Sequence, residues 1–160
     1  NGLMVRLPKV RQNLKIKVEV NTTERKTYAP VFKMPFSVKL QGQAHQTDVV
    51  SYDVNEMLGT KMRALFQRKR GRDLFDLYWA LTAPAAVPPD PVKVIAAFQH
   101  YMHAEDSRVT RQDFYEALDE RVASAEFRSD IPALLRQSIS YDLDAAAALV
   151  RKQLLALLPK

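Results

Sequence analysis

The sequence predicts an α+β fold in which a few-stranded sheet, the remnant of a larger core, precedes a helical bundle. Residues 14–20 (LKIKVEV) and 36–40 (FSVKL) alternate apolar and polar side chains, which is typical of β-strands. Beyond residue 53 the apolar side chains recur every three or four positions, as they do in helices that pack against a core. The 160 residues contain no cysteine, so this core forms without disulfides.

The strand predicted at residues 14–20 has two different faces. Lys15, Lys17 and Glu19 lie on one side, toward water or a charged cleft, and the apolar residues between them lie on the core side. A second strand is predicted at residues 36–40, and a β-branched run at residues 47–53 (TDVVSYD) follows after a polar turn at Gly42.

Two helices are predicted after the strands. The first begins at Asp53, where Asp53 and Glu56 form the D-x-x-E pattern of a capping box. It is expected to end at Gly71, a residue that weakens helices. Asp73 then opens a second helix, whose N-terminal dipole favours a carboxylate.

A proline-dense connector at residues 82–91 (TAPAAVPPDP) divides the chain into residues 1–83 and a helical lobe at residues 84–160. Asp90 and Pro91 are expected to cap and begin the first helix of this lobe. Helices are predicted at residues 91–102, 109–122 with a Thr110 to Asp113 cap, 131–139 and 143–158. The last helix carries an apolar stripe expected in the core: Leu143, Ala147, Val150, Leu154 and Leu158. Four aromatic residues are also expected there: Phe75, Tyr78, Trp79 and Tyr101.

Composition limits the chemistry. The absence of cysteine excludes thiolate catalysis and cysteine-zinc sites and fits a reducing cytoplasm. No apolar run reaches the roughly eighteen residues needed to cross a bilayer, so a membrane is not an expected partner. The net charge is +6, and six basic residues occur in one segment without an acid: Lys61, Arg63, Arg68, Lys69, Arg70 and Arg72. Such a run favours a polyanion such as tRNA or a nucleoside triphosphate, and an ordinary solvated helix face gives the same pattern.

Lys61 is unusual because Met57, Leu58 and Leu65 share its side of the helix. It either extends from the edge of this apolar stripe into solvent or meets an anion in a cleft. Asp73 has an ordinary explanation as a residue of the first helical turn.

Arg72 and Asp76 are four residues apart, the spacing of a common surface ion pair on a helix. Asp76 is therefore expected to brace Arg72.

Three segments in order resemble the AbiEii/AbiGii toxin family of the polymerase-beta-like nucleotidyltransferases. They are the strand KVEVN at residues 17–21, the helix from Glu56 to Lys61, and the R-x-x-x-RDxxDL signature from Arg68 to Leu77. The resemblance implies that the sheet is part of a nucleotidyltransferase core and that the enzyme transfers NMP from an NTP to an acceptor such as tRNA. It also implies the toxin of a toxin-antitoxin pair, with a separately encoded antitoxin protein as partner.

The resemblance also assigns roles to residues. Glu19 would be a catalytic carboxylate that binds Mg²⁺ together with acidic residues upstream of this chain, and Lys17 would support it. Lys61 would neutralise triphosphate oxygens, and Asp73 would be the final catalytic acid, accepting a proton or holding Lys61 and Arg72 in place. Arg68 and Arg72 would bind phosphate, with Asp76 in a supporting role.

The glycine-serine phosphate-binding turn and the paired carboxylates of such enzymes are absent from these 160 residues. We therefore expect the chain to be the C-terminal part of a longer enzyme and to be inactive when isolated. The rival interpretation is a noncatalytic module that binds nucleic acid or a protein, in which the basic run follows phosphates and Lys61 and Asp73 are structural.

Overall fold

The computed structural model describes the backbone course of residues 2–6 and 13–17, and describes residues 26–160 in full except residues 86, 133 and 137. Its order of strands followed by helices confirms the α+β prediction. No helix in these ranges is long and apolar enough to span a bilayer.

Two antiparallel hairpins make up the strands of the described ranges. The first pairs β1 (Gly2–Arg6), which was not predicted, with β2 (Asn13–Lys17), so that Leu3 lies opposite Ile16. The strand predicted at residues 14–20 is confirmed up to residue 17, and its last three residues lie outside the described ranges.

The second hairpin pairs β3 (Phe32–Leu40) with β4 (Gln43–Ser51). Its turn is formed by Gln41 and Gly42, both with positive φ (49° and 85°), as in the type I′ turn that suits the twist of a hairpin. Every residue of β3, and of β4 up to Val50, is exposed. The hairpin therefore extends from the helical body with both faces open.

Six α-helices follow in the part of the chain that the structure describes, and several begin where their caps predict. Asp90 accepts hydrogen bonds from the amides of Val92 and Lys93, and Thr110 forms a capping box with Asp113. The helices are α1 (Val54–Gln67), α2 (Gly71–Thr82), α3 (Pro91–His103), α4 (Arg111–Ala123), α5 (Ala125–Ser129) and α6 (Leu143–Gln153), and a short 3₁₀ turn follows at Leu155–Leu157.

The helix predicted at residues 131–139 is wrong. The described residues of this segment form turns and bends, and the helix of this region is the earlier, short α5. Ile131 is buried, but Leu134 is 67% exposed, so the apolar face of the predicted helix has no core to cover. The predicted helix at residues 143–158 ends at Gln153, although its whole apolar stripe is buried as expected.

One hydrophobic core joins helices from both sides of the proline-dense connector. Leu65 of α1 and Leu77 of α2 belong to the same buried cluster as Phe98 of α3 and Val150 of α6. Gly59 allows α1 to approach α3 closely, because a Cβ there would lie 2.7 Å from the Cβ of Ala97. The division into residues 1–83 and 84–160 stays a prediction, and the motif helices rest on the lobe that follows them.

Candidate active site

Lys61 of α1 meets two carboxylates of α2. Its Nζ lies 2.6 Å from Oδ2 of Asp76 and 3.7 Å from Oδ1 of Asp73, one helical turn earlier. The lysine side chain is 39% exposed, so one side of it remains accessible to solvent. Of the two explanations for Lys61, contact with an anion describes this geometry, and here the anions are carboxylates of the chain itself.

Asp73 is a buried acid with an incomplete set of partners. Its side chain is 1% exposed, and Oδ1 accepts a 3.4 Å hydrogen bond from Nη2 of Arg68. Oδ2 is buried and has no hydrogen-bond partner. Burial raises the pKa of Asp73 above its ordinary 3.8, and the positive charges of Arg68 and Lys61 offset part of that rise. The open oxygen beside a lysine makes Asp73 a candidate proton acceptor or ligand-binding group.

Contacts at the start of α2 fix the position of Asp73 in the first helical turn. The sequence correctly put Asp73 in the first turn, but Gly71 is itself the first residue of α2 and α1 already ends at Gln67. Glycine is needed at this position because a Cβ would lie 2.3 Å from the carbonyl oxygen of Phe127. Asp130, close by, accepts a 3.1 Å hydrogen bond from the amide of Arg72, a helix-capping contact from a distant part of the chain.

The turn between α1 and α2 is held by Arg121 of α4. This buried arginine donates from Nε to the carbonyl of Arg68 (3.2 Å) and from Nη2 to the carbonyl of Phe66. Its positive charge therefore lies at the C-terminus of α1, which has no basic residue of its own in its last turn. Burial lowers the pKa of Arg121 from its ordinary value. Nothing in the local sequence distinguishes this residue from a surface arginine of α4, so its role was not predicted.

The remaining predicted site residues divide into three groups. Arg68, 58% exposed, reaches Asp73, and Arg72 is exposed on α2. The expected pairing of Asp76 with Arg72 is wrong, because Asp76 instead binds Lys61, whose ammonium the α1–α2 packing brings within reach. Glu19 and the side chain of Lys17 lie outside the described residues, so their place in the site stays a prediction.

Glu56 has a larger role than the sequence predicts. Asp53 caps α1 through the amides of Asn55 and Glu56, but the reciprocal half of the predicted capping box is wrong. The Glu56 carboxylate is 2% exposed and accepts hydrogen bonds from the amides of Tyr28 (2.8 Å) and Ala29 (2.9 Å) and from the hydroxyl of Tyr101. It thus fixes the segment that precedes β3 to the helix that carries Lys61. Gly59, on the same side of α1, was a signal that this side is buried.

Much of the basic run is neutralised within the chain. Arg63 lies 3.0 Å from Glu105, and Arg70 lies 3.5 Å from Glu126. With the pairs made by Lys61 and Arg68, four of the six basic residues contact acids of the chain. These pairs lower the positive potential on which the noncatalytic nucleic-acid-binding interpretation depends.

The described ranges hold no cluster of three or more histidine, cysteine, aspartate or glutamate side chains that could bind a metal ion. Asp73 and Asp76 are two carboxylates already contacted by Lys61. They fit a supporting position beside a divalent cation rather than a complete Mg²⁺ site.

The chain matches the model of a known protein family. The family model described as nucleotidyl transferase AbiEii toxin, type IV TA system, matches residues 1–149. No curated protein and no solved structure matches the chain. Since the family model covers the strand, the Lys61 helix and the Asp73 helix, the chain belongs to the AbiEii family of nucleotidyl transferase toxins of type IV toxin-antitoxin systems.

Proposed function

We propose that Lys61, Asp73 and Arg68 act in the transfer of NMP from an NTP to an acceptor such as tRNA. Membership of the AbiEii family supports nucleotidyl transfer and a toxin-antitoxin system with an antitoxin as partner. The observation that carries the site assignment is the buried, unpartnered Oδ2 of Asp73 beside Lys61. A buried carboxylate oxygen left without a donor is disfavoured for stability alone, and such compromises are typical of functional sites.

Lys61 is the proposed phosphate-binding cation. Its ammonium is held between Asp73 and Asp76, and its side chain stays 39% exposed, so an entering triphosphate can replace the Asp76 contact without moving the helix. A lysine is a compact point charge and stabilises the negative charge that develops on the leaving pyrophosphate.

Asp73 is the proposed proton acceptor for the attacking hydroxyl. A carboxylate whose pKa is raised by burial is a stronger base than an exposed aspartate, while Arg68 and Lys61 keep its ionised form accessible. Arg68, in the turn before α2, and Arg72, in the first turn of α2, would bind phosphate oxygens, and Asp76 would hold Lys61 until substrate arrives.

Glu19, with Lys17 beside it in sequence, would contribute a carboxylate to a Mg²⁺ site completed by acids outside the described residues. Bound Mg²⁺ would supply charge neutralisation at the nucleotide phosphates. The cytoplasm, with its NTP and tRNA pools, is the proposed location.

The test is transfer of radiolabelled NMP from each of the four NTPs to total tRNA with Mg²⁺ present. It is performed with the protein as its gene encodes it, and with residues 1–160 alone as a comparison. Lys61→Ala, Asp73→Asn and Glu19→Ala are expected to lower kcat at least about a hundredfold without lowering Tm by more than a few degrees.

Two exposed residues away from the site supply matched controls. Lys93→Ala and Asp106→Asn repeat the chemical changes on exposed side chains of α3 and the loop after it, and should transfer like the wild type. Normal transfer by Lys61→Ala, Asp73→Asn and Glu19→Ala would overturn the site assignment. If the wild-type protein binds RNA yet transfers no label from any NTP, the noncatalytic interpretation replaces the proposal.

A further inference from the structure

An aromatic stack lies on the solvent side of α2. Trp79 was expected in the core but is 46% exposed. Its ring stacks on Phe75, with centroids 5.9 Å apart and ring planes inclined by 23°. Tyr141 contacts the other ring of this pair edge-on, 5.1 Å from the centroid of Phe75. The stack is therefore supported from behind and open at Trp79.

This stack shares its helix face with charged groups of the candidate active site. Arg72 precedes Phe75 and Asp76 by three and four residues, and these precede Trp79 by four and three, which places all four on the side of α2 opposite the buried Leu77. Asp76 on this face holds Lys61 at 2.6 Å. An exposed aromatic surface thus adjoins the lysine proposed to bind phosphate, with the exposed Arg72 one turn before it.

The chemistry of this face fits a nucleobase. A flat aromatic surface that is open to solvent and backed by further rings can stack on a base of any sequence, and a neighbouring guanidinium can bind the adjacent phosphate. In the turn before Arg72, the exposed Lys69 and the exposed Arg68, which also bonds Asp73, continue the positive charge along the chain. A strand with successive phosphates complements this line of charge better than one triphosphate does.

We propose that the Phe75–Trp79 stack, together with Arg72, binds an unpaired base of the acceptor RNA beside Lys61. The assignment of this RNA as the acceptor rests on the proposed function. Binding of the base itself is measurable without any transfer.

Trp79 is the only tryptophan of the chain, so its fluorescence reports directly on the stack. The experiment titrates the protein with a short single-stranded RNA and, separately, with each NTP. RNA is expected to quench the fluorescence in a saturable way. Phe75→Leu and Arg72→Gln should each weaken RNA binding about tenfold, whereas Tyr52→Leu, which removes another exposed aromatic ring, should not.

The transfer assay distinguishes binding of an RNA base from binding of the NTP base. Trp79→Leu is expected to raise KM for RNA about tenfold with kcat and KM for the NTP unchanged. A rise in KM for the NTP alone would assign the stack to the nucleotide and overturn the acceptor proposal. Unchanged fluorescence on RNA addition, or an unchanged KM for RNA in a folded Trp79→Leu, would also overturn it while leaving the proposed transfer intact. If no transfer is detected, saturable quenching that Phe75→Leu weakens would still support base binding.

Discussion

Replacing Asp73 by asparagine should separate function from stability. Asparagine has nearly the same shape as aspartate but carries no charge, so Asp73→Asn removes both the desolvation of the buried carboxylate and its attraction to Lys61 and Arg68. These attractions act at 3.7 Å and 3.4 Å. The raised pKa of Asp73 indicates that desolvation outweighs them.

The expected magnitude follows from the unpartnered oxygen. A buried polar group without a partner costs about 1–3 kcal/mol, and part of this cost persists with the asparagine amide. We therefore expect Asp73→Asn to match the wild type or to exceed its free energy of unfolding by up to about 2 kcal/mol near neutral pH. For a chain of this size, that corresponds to a Tm rise of up to about 8 °C. Transfer activity should be lost in the same preparation.

The pH dependence of stability independently tests whether Asp73→Asn raises or lowers the free energy of unfolding. Because the pKa of Asp73 rises from 3.8 on folding, the folded chain binds this proton more tightly than the unfolded chain. Protonation of Asp73 therefore stabilises the fold fully below pH 3.8, and this contribution is lost as pH rises through the folded pKa. The advantage of Asp73→Asn should accordingly shrink as the pH is lowered, because wild-type Asp73 then becomes neutral as well.

Thermal unfolding at several pH values, followed by circular dichroism, measures both effects. Asp106→Asn is the control, since this exposed residue has a positive φ that asparagine tolerates equally well. Its unfolding free energy should change by less than about 0.5 kcal/mol. If Asp73→Asn is less stable than the wild type by about 2 kcal/mol or more near neutral pH, the ion pairs of Asp73 outweigh its desolvation and the prediction is wrong.

Four further substitutions test the contacts around the site. Glu56→Gln turns one acceptor oxygen into a donor that faces a backbone amide, so urea unfolding should show a loss of about 2–3 kcal/mol. Tyr101→Phe, which removes the hydroxyl that donates to Glu56, should lose less. Equal stability of Glu56→Gln and the wild type would contradict the described network. Gly71→Ala places a methyl group 2.3 Å from the carbonyl oxygen of Phe127, so despite the better helix propensity of alanine we expect a lower Tm, and an unchanged or higher Tm would show that the contact is looser. Arg121→Met leaves the carbonyls at the end of α1 without their donors. It should lower the unfolding free energy by about 2 kcal/mol and speed amide exchange at the α1–α2 turn. Unchanged slow exchange there would show that Arg121 does not hold the turn.

Features determined by neighbouring residues were predictable from the sequence. Asp53, Asp90 and Thr110 cap their helices through amides two or three residues away, so local spacing was enough to locate these helix starts. The Lys61–Asp73 association was anticipated from a resemblance rather than from spacing, and the described geometry brings the two residues together.

Features determined by distant contacts were not predictable in this way. Glu56 has the spacing of a capping box, but the amides of Tyr28 and Ala29 compete successfully for its carboxylate. Trp79 fits an apolar helical pattern, yet no element covers it among the described residues. Asp76 was assigned to a partner on its own helix, and the packing of α1 on α2 supplied a nearer one.

Arg121 supports the α1–α2 turn, and Asp130 supports the start of α2. These two contacts determine which substitutions a genetic screen should recover. A screen for cells that survive expression of this toxin samples every position whose change disables it. Survivors should carry substitutions at Arg121 and Asp130 in addition to Lys61 and Asp73, because the carbonyl of Arg68 and the amide of Arg72 depend on those distant side chains.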